Sequence, residues 1–454
     1  MSAFKAYDIR GRVGEDLTEE IAYALGRAAA ARDPGRVATG RDIRESSAAL
    51  QGALNEGLAD GGADVSDIGL CGTEEVYFAT DHLGAGMGIM VTASHNPIDY
   101  NGMKLVGAGS RPLDDATFRA LEAATLAGPG GTKAPARGRV ETVDTRAAYV
   151  ERVVSFVDPA ALPAVKLVAN PGNGCAGPTF DAILDAIVAK GARVEAVRMH
   201  HAPDGGFPNG IPNPLLPENQ PVTADRVREA SADLGLAWDG DFDRCFFFDE
   251  TGAFIPGEYM VALLAQAVLA GEPGAKIVHD PRVAWNTIRT VREMGGEPVV
   301  SRTGHALVKA KMRETGAAYG GEMSAHHYFR DFMCCDSGMI PWLLVLAAMA
   351  GPAGQGGSSL GALVGEMRER HPSSGEINFR VEGAAEIMAA IEAEYRPDAL
   401  SVDHLDGLSM EFADWRFNLR RSNTEPLLRL NVETRGDRDL LERRVADLRA
   451  RIAG

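Results

Sequence analysis

Three times along this chain of 454 residues a short apolar strand runs into a polar loop that starts a helix, and a glycine-led strand follows. The first strands are Arg36-Val37-Ala38 before Gly40-Arg41-Asp42, Lys166-Leu167-Val168 before Asn170-Pro171-Gly172, and Lys276-Ile277-Val278 before Asp280-Pro281-Arg282. Their glycine-led successors are Gly62-Ala63-Asp64-Val65, Gly191-Ala192-Arg193-Val194 and Gly296-Glu297-Pro298-Val299. Strand, helix, strand in that order predicts α/β units around a largely parallel sheet. Each repeat then reaches a third strand that ends in a polar loop. These loops are Thr92-Ala93-Ser94-His95-Asn96-Pro97, Trp238-Asp239-Gly240-Asp241-Phe242-Asp243-Arg244, and Gly320-Gly321-Glu322-Met323-Ser324-Ala325-His326-His327. Ligands of open α/β sheets gather at the carboxyl ends of strands, so three equivalent ends predict one shared cleft. From about Gly365 the rhythm changes. Trp415-Arg416-Phe417-Asn418-Leu419 and Leu428-Arg429-Leu430-Asn431-Val432 alternate as half-buried strands do, and Asp437 to Ile452 has helical spacing, which predicts a small α+β domain.

Bulk properties narrow the partners. A net charge of −17 would repel nucleic acid or an anionic membrane, although a few converging Arg and Lys residues can still hold an anionic metabolite. The five cysteines, Cys71, Cys175, Cys245, Cys334 and Cys335, form no C-x-x-C pair. An odd number in a long chain argues against a disulfide framework and fits a reducing cytoplasm. No signal peptide is read at the N-terminus. The most apolar stretch, Met339 to Ala350, is too short for a bilayer and reads as a buried helix with Pro341 near its start.

The loops carry the chemistry. Met87 to Val91 is an apolar strand, and Pro97 keeps a helix from starting early, so Ser94 is left at the tip of a strained strand-to-loop turn. Taken alone, the hexapeptide fits an ordinary Asx-type turn as well as a nucleophile loop. Asp239, Asp241 and Asp243 place three hard oxygen donors at alternate positions, which suits a divalent cation such as Mg²⁺. An EF-hand is excluded, although Glu250 falls at its twelfth position: Arg244 replaces the required glycine, and Cys245-Phe246-Phe247-Phe248 is strand. Arg420-Arg421-Ser422-Asn423-Thr424-Glu425-Pro426 offers guanidinium, hydroxyl and amide donors to a phosphate, or is a solvated turn. Tyr7-Asp8-Ile9-Arg10-Gly11 has the same two readings. Glu322, Ser324 and His326 could bind vicinal sugar hydroxyls, with His327 structural. Lys104 is a surface lysine by default and a proton carrier if a pocket lowers its pKa.

In order and spacing these motifs resemble the α-D-phosphohexomutase superfamily and, within it, its bacterial phosphomannomutase branch. The resemblance runs from Tyr7-Asp8-Ile9-Arg10-Gly11 to Arg420–Pro426. It implies an α/β fold with three similar mixed α/β domains around a central cleft plus a smaller C-terminal α+β domain. The phosphoserine loop falls in 1–148, the metal loop in 149–253, the sugar loop in 254–364 and the phosphate loop in 365–454. It further implies that Ser94 is the phosphoserine, and that Asp239, Asp241 and Asp243 hold Mg²⁺ with a phosphate oxygen on Ser94. Glu322, Ser324 and His326 would contact sugar hydroxyls, and Arg420, Ser422, Asn423 and Thr424 the non-transferring phosphate. Lys104, Arg10, His95 and Arg244 match positions around the transferring phosphate, Tyr7 matches the substrate side of its motif, and His305 in Thr303-Gly304-His305 matches a further cleft histidine. Ala325 stands where many relatives have glycine, and Arg421 occupies a variable place. The implied reaction passes through a hexose 1,6-bisphosphate, which is both intermediate and activator, with small hexose phosphates as partners and a monomer or homodimer as the working form. A phosphoglucomutase or phosphoglucosamine mutase of the same family, a metal-dependent sugar phosphatase or a non-catalytic sugar-phosphate sensor would use similar parts. A second phosphate site favours the mutase, and a sensor has no need of Ser94.

Overall fold

The computed structural model describes residues 3–5, 7–32, 34–128, 134–351, 357–421 and 427–453. They fall into two compact units, one of residues 1–254 and 326–357, the other of residues 255–325 and 358–454.

In the first unit, β1 (Ile9–Arg12), β2 (Arg36–Arg41), α1 (Ser47–Asp60), β3 (Asp64–Leu70), α2 (Thr73–His82), β4 (Met87–Val91) and β5 (Tyr100–Gly107) follow in chain order. β2 lies between β3 and β4 and is parallel to both, while β5 pairs antiparallel with β4 and with β1. The second repeat has β6 (Val165–Asn170), α3 (Ala176–Ala189), β7 (Val194–Arg198), α4 (Pro221–Ala230), β8 (Leu234–Trp238) and β9 (Cys245–Phe248). β6 is again central, parallel to β7 and β8, with β9 antiparallel to β8. The second unit repeats the plan with β10 (Lys276–His279), α5 (Trp285–Glu293), β11 (Glu297–Val300), α6 (His305–Thr315) and β12 (Tyr319–Gly321), β10 lying parallel to both other strands. In every repeat the first strand is therefore flanked by the second and third, the arrangement that right-handed β-α-β crossovers produce. The apolar runs of central strands are buried on both faces, as at Leu234–Trp238 and Cys245–Phe248.

The last module is an antiparallel sheet of β13 (Ile377–Arg380), β14 (Ser401–Asp403), β15 (Leu408–Glu411), β16 (Trp415–Arg421) and β17 (Leu427–Thr434), in the order β13-β17-β16-β15-β14, followed by a helix over Arg438–Ala453. One expectation is corrected here. β16 is not half-buried, because its polar side chains are enclosed as well as its apolar ones. Arg416 donates to the carbonyl of Pro281 at 2.8 Å and pairs with Glu433 at 3.3 Å, and Asn418 donates to the Asp406 carbonyl at 3.0 Å. Alternation marks two different faces but does not say that one of them meets water. The apolar Met339–Ala350 stretch forms the buried helix Ile340–Ala350 with Pro341 in its first turn. No helix among the described residues is long and apolar enough to cross a membrane.

Candidate active site

Within the first unit the β4–β5 connection holds Ser94. Its φ of +51° puts a non-glycine residue in the left-handed region, which costs on the order of 1 kcal/mol and persists only where surroundings enforce it. Arg44 enforces it. This buried guanidinium donates to the carbonyls of Ser94 (2.9 Å), Asn96 (2.6 Å), Pro97 (2.9 Å) and Tyr100 (3.1 Å). Arg10 on β1 adds a bond to the Ala93 carbonyl at 2.8 Å and another to Asn96 Oδ1. Tyr7 stays 41 % exposed.

The metal loop between β8 and β9 meets this turn. Ser94 Oγ donates to Asp239 Oδ2 at 2.8 Å. The approach requires Gly240, since a Cβ there would lie 2.7 Å from the Ser94 carbonyl oxygen. Arg244 grips Asp239 Oδ2 through Nη2 (2.6 Å) and Nε (3.0 Å), and its Nη2 stands 3.5 Å from Ser94 Oγ. Lys104, on β5, donates to Asp241 Oδ2 at 2.7 Å and also to Asp243 Oδ2. Asp239, Asp241 and Asp243 lie close enough together to hold one ion. Despite two adjacent cations, Asp241 Oδ1 and Asp243 Oδ1 are buried with no hydrogen-bond partner among the described residues. Leaving one such acceptor bare costs roughly 1–3 kcal/mol, so the donor set fits a hard divalent cation well.

Protonation follows from the same contacts. Burial raises Asp239 above the usual carboxylate range against the pull of Arg244. For Asp243 burial is outweighed by Lys104, His326 and Arg244, which hold it well below that range. Burial and the positive Arg244 and Arg10 push His95 well below the ordinary imidazole value. Arg244 donates to His95 Nδ1, so that nitrogen is an acceptor, and it lies 3.0 Å from Ser94 Oγ. Lys104 departs from the condition set for a proton carrier. Burial draws its ammonium down, but Asp241 and Asp243 more than offset this and hold it above its ordinary value. As placed here, it is a fixed positive charge. His326 Nε2 lies 3.7 Å from Asp243 Oδ1, beside the metal loop, whereas His327 is fully buried and neutral.

The second unit gathers a different set. Glu322 Oε1 accepts from the Gly304 amide at 2.9 Å, which joins the sugar loop to Thr303-Gly304-His305. Ser324 and His305 are half-buried. Arg282 donates to Asp280 at 2.7 Å, lies 3.9 Å from Glu322 and 3.7 Å from Glu376. Glu376 also pairs with Arg420 at 3.3 Å and Arg429 at 3.4 Å. Ser422, Asn423 and Thr424 lie outside the described residues. Sequence reasoning overlooked Arg44, Thr73, Arg282 and Glu376. Arg44 and Arg282 had a signal, since both sit in the loop after the first strand of a repeat.

Four family descriptions match in chain order: phosphoglucomutase/phosphomannomutase alpha/beta/alpha domain I over residues 1–129, domain II over 147–252, domain III over 256–371, and the C-terminal domain over 376–451. A Xanthomonas campestris protein named "Phosphohexose mutases" is 54% identical over 453 residues, covering 99% of this chain and 98% of its own. A phosphomannomutase of Escherichia coli K12 is 52% identical over 454 residues, with the same coverage. The chain belongs to the phosphoglucomutase/phosphomannomutase family. A solved family protein from Burkholderia thailandensis superposes with a TM-score of 0.87 at 34% identity, covering 99% of this chain and 96% of that one. The α-D-phosphohexomutases are isomerases, and the acidic triad in this member can hold a metal ion.

Proposed function

We propose that the chain interconverts mannose 1-phosphate and mannose 6-phosphate through phospho-Ser94 and a hexose 1,6-bisphosphate, and also acts on glucose phosphates. The observation that carries this is Ser94, held in a strained turn with its Oγ 2.8 Å from Asp239, beside two buried carboxylate oxygens with no hydrogen-bond partner among the described residues. The curated relatives named phosphomannomutase support the choice of sugar.

In the forward step the substrate's free hydroxyl oxygen forms a bond to phosphorus as the Oγ–P bond of phospho-Ser94 breaks. The phosphoryl group passes to the sugar, the electron pair of the broken bond stays on Oγ, and the proton given up by the sugar hydroxyl ends on Oγ, which regenerates the Ser94 hydroxyl. Arg244 Nη2 faces that oxygen as a donor, and the fixed charge of Lys104 lies one ligand further away. The bisphosphate then reverses its orientation and returns its other phosphate to Ser94. Asp239, Asp241, Asp243 and a Ser94 phosphate oxygen would hold Mg²⁺, which when bound neutralises charge developing on the transferring group. Glu322, Ser324, His326 and His305 would read sugar hydroxyls, with Tyr7 beside the substrate. Arg420 with Ser422, Asn423 and Thr424 would take the non-transferring phosphate. Water must be kept out, because hydrolysis of phospho-Ser94 would disable the enzyme, and Ser94 is 2% exposed.

The matched family spans support four domains at 1–148, 149–253, 254–364 and 365–454, with the last boundary better drawn after the helix Leu360–Arg370. Five buried thiols and a net charge of −17 support a cytoplasmic enzyme working on small metabolites, without nucleic acid or membrane as partner, and its proposed working form is a monomer or homodimer.

The test compares mannose 1-phosphate, glucose 1-phosphate and glucosamine 1-phosphate with and without added hexose 1,6-bisphosphate. Turnover of mannose phosphate should require the bisphosphate or a phosphorylated Ser94, and Ser94→Ala should lower it at least ~10³-fold. Mannose and glucose differ at the 2-hydroxyl, and no residue type in the sugar loop is an obvious candidate to read it. Their kcat/KM values should therefore differ by less than about 10⁴. Release of inorganic phosphate in place of isomerised sugar would make the enzyme a phosphatase.

A further inference from the structure

We infer that Thr73, which no motif of the active site includes, is a positioning residue that orients Asp241 toward the metal ion. The inference rests on the triad reading above and deepens it. Thr73 opens α2 and is fully buried. Its Oγ1 donates to Asp241 Oδ2 at 2.5 Å, and its amide donates to the Asp241 carbonyl at 3.0 Å. Lys104 Nζ takes the same Oδ2 at 2.7 Å. Both donors therefore fall on one carboxylate oxygen, and Oδ1, also buried, receives no hydrogen bond among the described residues. A carboxylate pinned at one oxygen cannot rotate about χ2 without breaking two charge-assisted bonds, so the bare oxygen keeps its direction.

The platform under Thr73 is itself fixed. The Gly72 amide is capped by Glu75 Oε2 at 2.9 Å. A Cβ at Gly72 would lie 2.6 Å from Cε2 of Phe242, so the glycine lets the start of α2 lie flat on the metal loop. One residue on, the fully buried Glu74 accepts from Ser337 Oγ at 2.9 Å and from the Gly338 amide at 2.5 Å. The Gly338 carbonyl in turn accepts from Trp238 Nε1 at 2.9 Å, immediately before Asp239. The first turn of α2 thus holds the metal loop at Asp241 directly and at its entry through Gly338. Outer partners of this kind typically change metal affinity by about 10–100-fold.

The experiment titrates Mn²⁺ alone, with Mg²⁺ as competitor, into the full-length chain and three variants by calorimetry, and follows kcat and KM against Mg²⁺ concentration. Thr73→Val keeps the shape and the backbone bond and removes only the hydroxyl. It should weaken metal binding ~10–100-fold, leave the KM for mannose 1-phosphate within a few-fold, and regain most of kcat at saturating Mg²⁺. Thr73→Ser restores the hydroxyl and should bind metal within about threefold of the native chain. Asp241→Asn is the control for the triad. If Asp241→Asn loses metal while Thr73→Val binds like the native chain, the positioning role is wrong and the triad stands. If Thr73→Ser is as weak as Thr73→Val, the hydroxyl is not the cause and the inference fails. Native-like metal binding by Asp241→Asn would overturn both readings.

Discussion

The two units each bury a dense cluster of charges, and the clusters leave opposite things undone. Among the described residues, two buried carboxylate oxygens of the metal loop, Asp241 Oδ1 and Asp243 Oδ1, have no hydrogen-bond partner. Beside Glu376 two buried guanidinium nitrogens, Nε of Arg282 and of Arg420, have none. Lys104 and Arg244 take their close bonds on other oxygens of the acidic loop, while Glu376 faces three guanidiniums, of which Arg282 also pairs with Asp280. A buried donor or acceptor left bare is costly, so a ligand of the opposite sign would relieve each cluster. On the proposed reaction the first would take a cation and the second an anion, since one phosphate reacts while the other is only held.

The sharpest way to break this contrast is to neutralise one member of each cluster and see which kinetic constant moves. Asp241→Asn should lower kcat about 10²–10³-fold and raise the Mg²⁺ requirement, with KM for mannose 1-phosphate within a few-fold, because transition-state charge is left poorly neutralised. Arg420→Lys keeps the charge but loses the planar fork. It should raise KM by about 10-fold with kcat nearly unchanged, the signature of lost uniform binding. Burial and the neighbouring Arg282 disfavour the Arg420 cation, so an arriving phosphate would offset that cost. Steady-state assays across Mg²⁺ and substrate concentration check both. A raised KM at unchanged kcat for Asp241→Asn, or a changed Mg²⁺ requirement for Arg420→Lys, would dissolve the assignment of signs.

The same contrast explains what could be read before any coordinates. The repeats were legible because alternating strand and helix signals are local, and each came back as a central strand flanked by its successors. The acidic triad was legible because its three residues are near neighbours in sequence. Arg44 and Thr73 were overlooked, because each acts at a distance, Arg44 across 50 residues to Ser94 and Thr73 across 168 to Asp241. The place of Arg44 after a repeat's first strand hinted at the site, but packing alone gives each residue its role. Lys104 was found by proximity to Ser94, but its protonation was set by aspartates from another repeat. The buried polar face of β16 was misread for a related reason. Alternation tells the two faces apart, and what covers the second is a matter of tertiary structure.

The smallest expected effect is a likeness between the units, carried by a neutral buried histidine that each contains. Burial pushes His327, in the first unit, down to about 3, and His371, in the second, down to about 4. His371 packs its ring against Trp285, with centroids 5.7 Å apart. In an unfolded chain each imidazole titrates near about 6.5. Between that value and the folded one, the unfolded state binds a proton that the folded state refuses. Stability is therefore complete above about pH 6.5 and falls as the pH drops toward 4, by up to about 1.4 kcal/mol per pH unit for each histidine. His371→Phe removes the titrating group and keeps a ring against Trp285. The informative quantity is the pH slope, since losing the imidazole's own contacts shifts absolute stability at every pH. The thermal midpoint of the variant should fall less between pH 7 and pH 5 than that of the native chain, and the remaining fall should include the share of His327. An unchanged slope would mean that His371 is not held neutral, and the likeness between the two units would end there.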